Sequence, residues 1–357
     1  MKTSILALAA VGLLPLFVAA DARAQINNLT REQLIKYTAP NPFDRFPDGR
    51  PRIPDALLEK FKDMSSEELL SAGQPPAGDS GPRYFGSGPA VTYTDGWQIL
   101  HPGKKLIGRA FTLQLMPTRL EIFDVEQAEW KQRGNVVSLS HQSALDMLQP
   151  GDVIVVDAGG NLDLGGIVGD NLAYYIWTKT GTGFVIDGAV RDLEGIAEFD
   201  MPGYFRGAVP GMAARHMTTG INVPVRIGKA TVMPGDLVFG DREGVNFIPP
   251  QAVERLIEAA KTTHIHDEWV KNKFKTRQYK STHVYGSGSL HDPALKKEYD
   301  DNMKEQLPSR SNAPVSNGLR PQQRYLHVPF HCGACRPAPK WEGCRPGRWR
   351  FGISRSI

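Results

Sequence analysis

Apolar and polar positions alternate in blocks along this chain. From about residue 106 to 275, short Val/Ile/Leu runs bounded by Gly and Pro turns alternate with stretches of helical period, the pattern of an α/β domain. Strands are predicted over 106–115, 153–157, 184–186, 223–227, 236–239 and 245–248. The runs at 153–157 and 184–186 are continuously apolar, as strands covered on both faces are. Helices are predicted over 143–148, 171–179 and 192–199, with a long amphipathic helix from 250 to about 273.

Upstream, 29–38 and 54–64 read as two helices, with Thr30 as an N-cap and Pro54 as a first-turn start. Ser65 to Leu70 looks like a capped third helix, followed by a Gly/Pro-rich loop over 74–89. Residues 276–306 are polar and charged, an arm or a frayed helix, and beyond 307 the Pro/Arg/Ser/Asn/Gly composition without periodicity predicts a disordered tail. Met1-Lys2, an apolar run from Ile5 to Ala20 and Ala22-Arg23-Ala24 form the three parts of a secretory signal. The run is short for a membrane span and Pro15 interrupts it, so the expectation is cleavage near Ala24 and a secreted or periplasmic protein with no stable membrane anchor. The expected organisation is a signal peptide at 1–24, a helical extension at 25–64, an α/β domain at 65–275, an arm at 276–306 and a basic tail at 307–357.

Charge changes the picture in one respect. The net charge is +4, but residues 307–357 hold nine Lys/Arg against one acidic residue, so the body at 25–306 is net −5. An acidic body offers no footprint for nucleic acid. All three cysteines, Cys332, Cys335 and Cys344, lie in the tail, so the body has no disulfide and depends on its core. With His331 they offer zinc-type donors, yet the spacing lacks a second paired motif.

The candidate chemistry sits in Val168-Gly169-Asp170-Asn171-Leu172 and, one helix and one strand later, in Asp187-Gly188-Ala189-Val190-Arg191-Asp192. Asp170 reads as an N-cap, which aims the amides of Asn171 and Leu172 at a small anion. Arg191 can hold a carboxylate with two parallel hydrogen bonds, and Asp192 is a hard oxygen ligand for a divalent cation. Glycines at 159, 160, 165 and 166 let the backbone approach a ligand closely. Asp187-Gly188 and the 241–244 segment read as turns between strands, without the alternating ligands of a calcium loop. His264, His266, Asp267 and Glu268 read as a solvated helix face. No G-x-G-x-x-G occurs, which disfavours a dinucleotide or a methyl-donor cofactor.

Four blocks taken together resemble the RraA-like family, which includes the 4-hydroxy-4-methyl-2-oxoglutarate aldolases and the regulator of ribonuclease E activity. They are Gln149-Pro150-Gly151-Asp152 with Val153 to Asp157, then Gly169 to Leu172, then Asp187-Gly188 through Arg191-Asp192, and last Val232 to Asp241 with Gly244-Val245. The resemblance covers about residues 65–270. It implies a swivelling β/β/α fold rather than a Rossmann sheet, and a homotrimer or a hexamer built as a dimer of trimers. It also implies that Arg191 binds the substrate carboxylate, that Asp192 binds Mg²⁺ or Mn²⁺, and that a neighbouring subunit supplies an acidic residue, for which Glu268 is the candidate. The expected function is a metal-dependent carbon–carbon lyase that releases pyruvate from 4-hydroxy-2-oxo acids or oxaloacetate. Gly169, Asp170, Asn171, Leu172 and Arg191 would hold the substrate, with Arg191 and an Asp170-bound water serving catalysis. The alternative is a noncatalytic exported binding or regulatory protein on the same fold.

Overall fold

Strands that are apolar on both sides need cover on both sides, and the computed structural model shows how that cover is supplied. It describes residues 28–73, 92–132, 141–285 and 290–307; the expected signal, the 74–89 loop and the tail beyond 307 lie outside the described residues. In chain order the elements are α1 (Arg31–Tyr37), α2 (Asp55–Glu59) continued by a 3₁₀ turn (Lys60–Asp63), α3 (Ser66–Gly73), β1 (Thr92–Thr94), β2 (Gln98–Leu100) and β3 (Leu106–Pro117). Then come α4 (Leu120–Gln132), α5 (His141–Leu145), β4 (Asp152–Asp157), α6 (Asp170–Thr180), β5 (Phe184–Val190), α7 (Leu193–Ile196), β6 (Gly203–Ala208) and β7 (His216–Ile221). The hairpin β8 (Val225–Ile227) and β9 (Ala230–Val232), strands β10 (Leu237–Gly240) and β11 (Val245–Ile248), and helices α8 (Val253–Lys275), α9 (Ser281–Val284) and α10 (Pro293–Gln306) complete the described chain.

The main sheet runs β1-β11-β10-β3-β4-β5-β6-β2, with β7 also paired to β3. Neighbours from β3 through β6 are parallel, and the flanking strands are antiparallel. Alternation along β4 sorts its side chains. Ile154 and Val156 join one core with Leu145, Ile176 and Ile196 of the helices, while Val153 and Val155 join another with Val225 and Val232 of the β8–β9 hairpin. A third core packs Leu58, Phe61 and Leu69 of the N-terminal helices with Leu256 and Ile257 of α8 over Phe239 and Ile248. This is a mixed α/β fold, and among the described residues no helix is long and apolar enough to cross a membrane.

Local chemistry sets the helix starts. Thr30 and Gln33 form a capping box, Ser65 and Glu68 form a second, and Asp292 caps α10. Helix α10, read from the sequence as an arm or a frayed helix, carries the i,i+4 pairs Lys296–Asp300 and Lys297–Asp301. Two sequence expectations need correction. Asp187-Gly188 is not a turn but lies inside β5, because the buried Asp187 carboxylate accepts from Arg206 Nε at 2.6 Å and from the Gly228 amide at 3.2 Å, which satisfies it within the sheet. The helix expected from 192 begins at Leu193 and ends by Ile196.

The two x-Pro-Gly-Asp turns are built alike. Gly151 and Gly235 have φ of 80° and 88°, and Asp152 and Asp236 each accept from the amide three residues back, Gln149 at 2.9 Å and Met233 at 2.8 Å. The N-terminal extension docks on both. Pro51 stands where a side chain at position 235 would be, and Arg50 reaches Asp152 with two bonds of 3.0 and 3.2 Å between the rings of Phe46 and Phe111. Both partners are essentially inaccessible, with Arg50 1% exposed and Asp152 0%. Removing one member of a buried pair strands the other charge, so Arg50→Ala should lower stability by about 3–5 kcal/mol. Chemical denaturation read by tryptophan fluorescence would measure it; a loss below about 1 kcal/mol would show that the extension is not anchored through this pair.

Candidate functional site

The carboxyl end of β5 is where chain geometry and chemistry meet. Residues 166–168 run beside it in parallel fashion, with the Ile167 amide donating to the Ala189 carbonyl at 2.9 Å and the Arg191 amide donating to the Val168 carbonyl at 2.9 Å. This brings the start of α6 against the residues that follow β5. A side chain at Gly166 would meet Arg191 Cβ at 2.6 Å, and one at Gly169 would collide with the Asp192 carboxylate and reach Arg191 Nε at 3.0 Å. The glycines are therefore the space that Arg191 and Asp192 occupy.

Asp192 takes the left-handed conformation, φ 58° and ψ 44°, which Asp tolerates better than most residues at a cost of order 1 kcal/mol. The sequence places Asp192 at the start of a helix with Arg191 just before it; in the structure Asp192 is the N-cap of α7, outside the helix. The backbone turns between them, and Arg191 Nη1 lies 3.3 Å from Asp192 Oδ2. Both side chains remain about one-third exposed, at 35% and 36%.

A second correction concerns Asp170. Gly169, with φ −109° and ψ −174°, is the N-cap of α6, and Asp170 is its first helical residue, its Oδ1 accepting from the Asn171 amide at 2.7 Å. The sequence placed the cap one residue late because glycine also serves there. The acidic side chain at the positive helix end still complements the dipole. Asp170 packs against Gly195, where an added Cβ would come within 2.9 Å of the Asp170 Cβ and Oδ2 and clash.

A cavity of about 290 Å³ opens here. Of the residues singled out from sequence, Gly166, Gly169, Leu172 and Arg191 line it. Asp192 stands beside it through Arg191, while Asp170 and Asn171 are not among its lining residues. Glu268 is not brought to it within this chain: it is exposed on α8, its carboxyl held low by a 2.9 Å bond from Lys271.

Sequence reasoning missed two lining residues, His141 at the start of α5 and His216 at the start of β7. They are 75 positions apart, and no local motif links them. His141 Nδ1 lies 3.1 Å from His216 Nε2 with ring centroids 5.1 Å apart. Burial, with a smaller contribution from His216, pushes His141 down to about 4; burial also lowers His216.

The model of the RraA-like family, described as Aldolase/RraA, matches residues 84–246. A Shewanella oneidensis protein that carries the provisional name 4-hydroxy-4-methyl-2-oxoglutarate aldolase is 30% identical over 137 residues, 37% of this chain and 83% of that protein. The chain belongs to the RraA-like family. A Thermus thermophilus 4-hydroxy-4-methyl-2-oxoglutarate aldolase is 33% identical over 99 residues, and a Halalkalibacterium halodurans protein with the same provisional name is 35% identical over 131. These alignments cover 28% and 37% of this chain and span 60% and 62% of the two relatives' lengths. Among solved structures, Streptomyces coelicolor RraAS2, from the RNase ES inhibitor RraA protein family, is similar at 27% identity and a TM-score of 0.49, covering 64% of this chain and 100% of that one. The four RraA-like blocks read from the sequence all fall in or beside the structural features described above.

The histidine pair makes stability pH-dependent. A histidine whose folded pKa is depressed contributes stability that is present above its unfolded value near 6.5 and lost as pH falls toward 4. Melting temperature should therefore drop between pH 6.5 and 4, by the equivalent of about 1–3 kcal/mol from His141, and His141→Gln should flatten that part of the curve. An unchanged pH profile in the variant would show that His141 is not held neutral.

Proposed function

We propose that this RraA-like protein is a divalent-metal-dependent carbon–carbon lyase acting on 2-oxo acids. It would release pyruvate by aldol cleavage of 4-hydroxy-2-oxo acids, by decarboxylation of oxaloacetate, or by both. The observation that carries the reading is the convergence of Arg191 and the amino end of α6 on one cavity, with Asp192 paired to Arg191 beside it, made possible by Gly166 and Gly169. The aldolase names of the relatives support it.

The donor set suits a hard cation that keeps much of its water. Among the described residues no cluster of three or more His, Cys, Asp or Glu exists to cage a metal, and Mg²⁺ characteristically needs only one or two carboxylates. Asp192 would hold it, and Asp170 would orient its water shell. Bound there, the cation would supply Lewis-acid stabilisation of negative charge on the substrate's 2-oxo oxygen.

The chain's own groups do the rest. Arg191 is permanently charged and offers a fork of donors, so it binds a substrate carboxylate and fixes the acid in one orientation. Its ion pair with Asp192 keeps the guanidinium aimed across Gly169, and the helix dipole adds positive potential at the same place. Leu172 and Ile167 give the cavity an apolar wall that limits water around the reacting carbons. The family's subunit arrangement makes a trimer the expected assembly, with this cavity close to a subunit boundary.

A panel of 4-hydroxy-2-oxo acids and oxaloacetate, assayed for pyruvate with and without Mg²⁺ or Mn²⁺, tests the proposal. Asp192→Ala should abolish the metal-dependent rate. Arg191→Ala should reduce kcat/KM roughly thirty- to a thousandfold, the equivalent of about 2–4 kcal/mol for one charged contact. Both variants should melt near the wild-type temperature, since neither side chain is in the core. Variants within a few fold of an active wild type would place the chemistry elsewhere, and no pyruvate from any substrate would favour a noncatalytic binding role.

A further inference from the structure

We infer that His141 and His216 act as one acid–base unit in the Arg191 cavity, the proton carrier that takes the proton of a substrate 4-hydroxyl as the C3–C4 bond breaks and returns a proton to C3. The inference rests on the lyase reading, in which this proton needs a carrier. In the balanced step, the hydroxyl O–H pair becomes the C4=O bond, the C3–C4 pair passes to C3 as the enolate of pyruvate, and the imidazole holds the proton. Protonation of C3 then yields the pyruvate methyl group and restores the neutral pair.

Three observations carry this assignment. Both rings line the cavity together with Arg191, and their facing nitrogens are 3.1 Å apart, so an N–H on one ring is shared with the lone pair of the other. Of their outer nitrogens, His216 Nδ1 is buried with no hydrogen-bond partner among the described residues, an arrangement that costs about 1–3 kcal/mol and that a merely structural pair would be expected to avoid, while the Ile167 backbone bears on the His141 ring and favours its protonated form. Among the described lining residues the two histidines are also the side chains that can both take up and return a proton. Arg191 stays charged, Gln142 from α5 and Phe123 from α4 do not titrate, and residues 166–169 and 212–214 bring no titratable side chain. Asp170, the other candidate from sequence, packs on Gly195 and is engaged by the Asn171 amide.

The electrostatics give the pair a trigger. In the free cavity, burial keeps both rings neutral and therefore receptive, though only weakly basic. A bound substrate carboxylate offsets the charge of Arg191 and favours the protonated imidazole, which moves basicity toward the working pH when substrate is present.

The test uses the full-length protein and two proton-sensitive readouts. His141→Ala, His216→Ala and the milder His141→Gln and His216→Gln are compared with wild type for pyruvate release and for exchange of pyruvate methyl hydrogens into D₂O, followed by NMR. Melting curves identify any variant that does not fold. Loss of a general base should lower kcat and methyl exchange about 10²- to 10⁴-fold with KM changed only a few fold. Imidazole and methylimidazoles should rescue the alanine variants in order of their basicity, a trend that refilling a cavity alone would not produce. Folded variants that exchange and cleave within a few fold of wild type overturn the assignment and leave the lyase reading intact. Rescue that ignores basicity also overturns it. A wild type that exchanges methyl hydrogens without cleaving any substrate retains the proton carrier and sinks the cleavage reading, and a wild type that does neither sinks both.

Discussion

The bidentate bond between Arg50 and Asp152 is the interaction on which the central architecture depends. Asp152 closes the turn that launches β4, the strand held between β3 and β5, and it does so with a carboxylate that is fully buried. Such a charge needs a partner, and the N-terminal extension supplies it. The neighbouring guanidinium of Arg109 donates to the Ile53 carbonyl and pairs with Asp55, so residues 50–55 are tied across the start of β3 as well. Burial raises the pKa of the Asp152 carboxyl, with Arg50 opposing the shift; at the equivalent Asp236 the opposition comes from a backbone amide instead. Its carboxyl is wholly buried with only the Met233 amide to stabilise it, and burial pushes its pKa up to about 7. Arg50 can serve only one of the two turns, while Pro51 covers the other through Gly235.

From that frame the site follows by backbone geometry more than by side-chain packing. Parallel strands deliver their following residues to one end of the sheet, where an open α/β sheet offers a crevice. Here the crevice is narrowed by the 166–168 segment lying along β5, and only glycine at 166 and 169 leaves room for Arg191 and Asp192. The left-handed Asp192 is held from both sides. Its carbonyl accepts from the Ile196 amide at 3.0 Å, and the Arg191 amide is bound to Val168. Strain of this kind persists only where surrounding bonds fix it, and it sets the direction in which the carboxylate points.

How much of this was legible varies by element for physical reasons. Strands β4 and β5 and helix α6 carry their own apolar signal, and their positions read directly from the pattern. Strands β6 and β7 do not, since Gly203, Gly207, Thr218, Thr219 and Gly220 gain their place from neighbours rather than from propensity. Helix α4 was hidden because Leu120 and Val125 are exposed, so its apolar residues do not mark a buried stripe. At the site, Arg191 and Asp192 stood out as types of residue, but their mutual ion pair depends on a backbone conformation that no residue pattern announces. The N-cap shifted to Gly169 for the same reason. The histidines were invisible as a pair because proximity of α5 to β7 is a product of the sheet order.

The cavity can hold a permanent cation and two imidazoles without mutual repulsion because burial keeps the imidazoles neutral. Burial, and after it the neighbouring His216, opposes protonation of His141. With both imidazoles neutral, Arg191 is the cation among the described lining residues, which suits the capture of one carboxylate. Once that carboxylate is bound, its negative charge favours the protonated imidazole. The order of events then has a physical cause: anion binding comes first, and the imidazole pair becomes a competent base afterwards. A base of unperturbed pKa would be partly protonated before substrate arrived, and the cavity would lose both its receptive nitrogen and part of its selectivity for a substrate that brings its own negative charge.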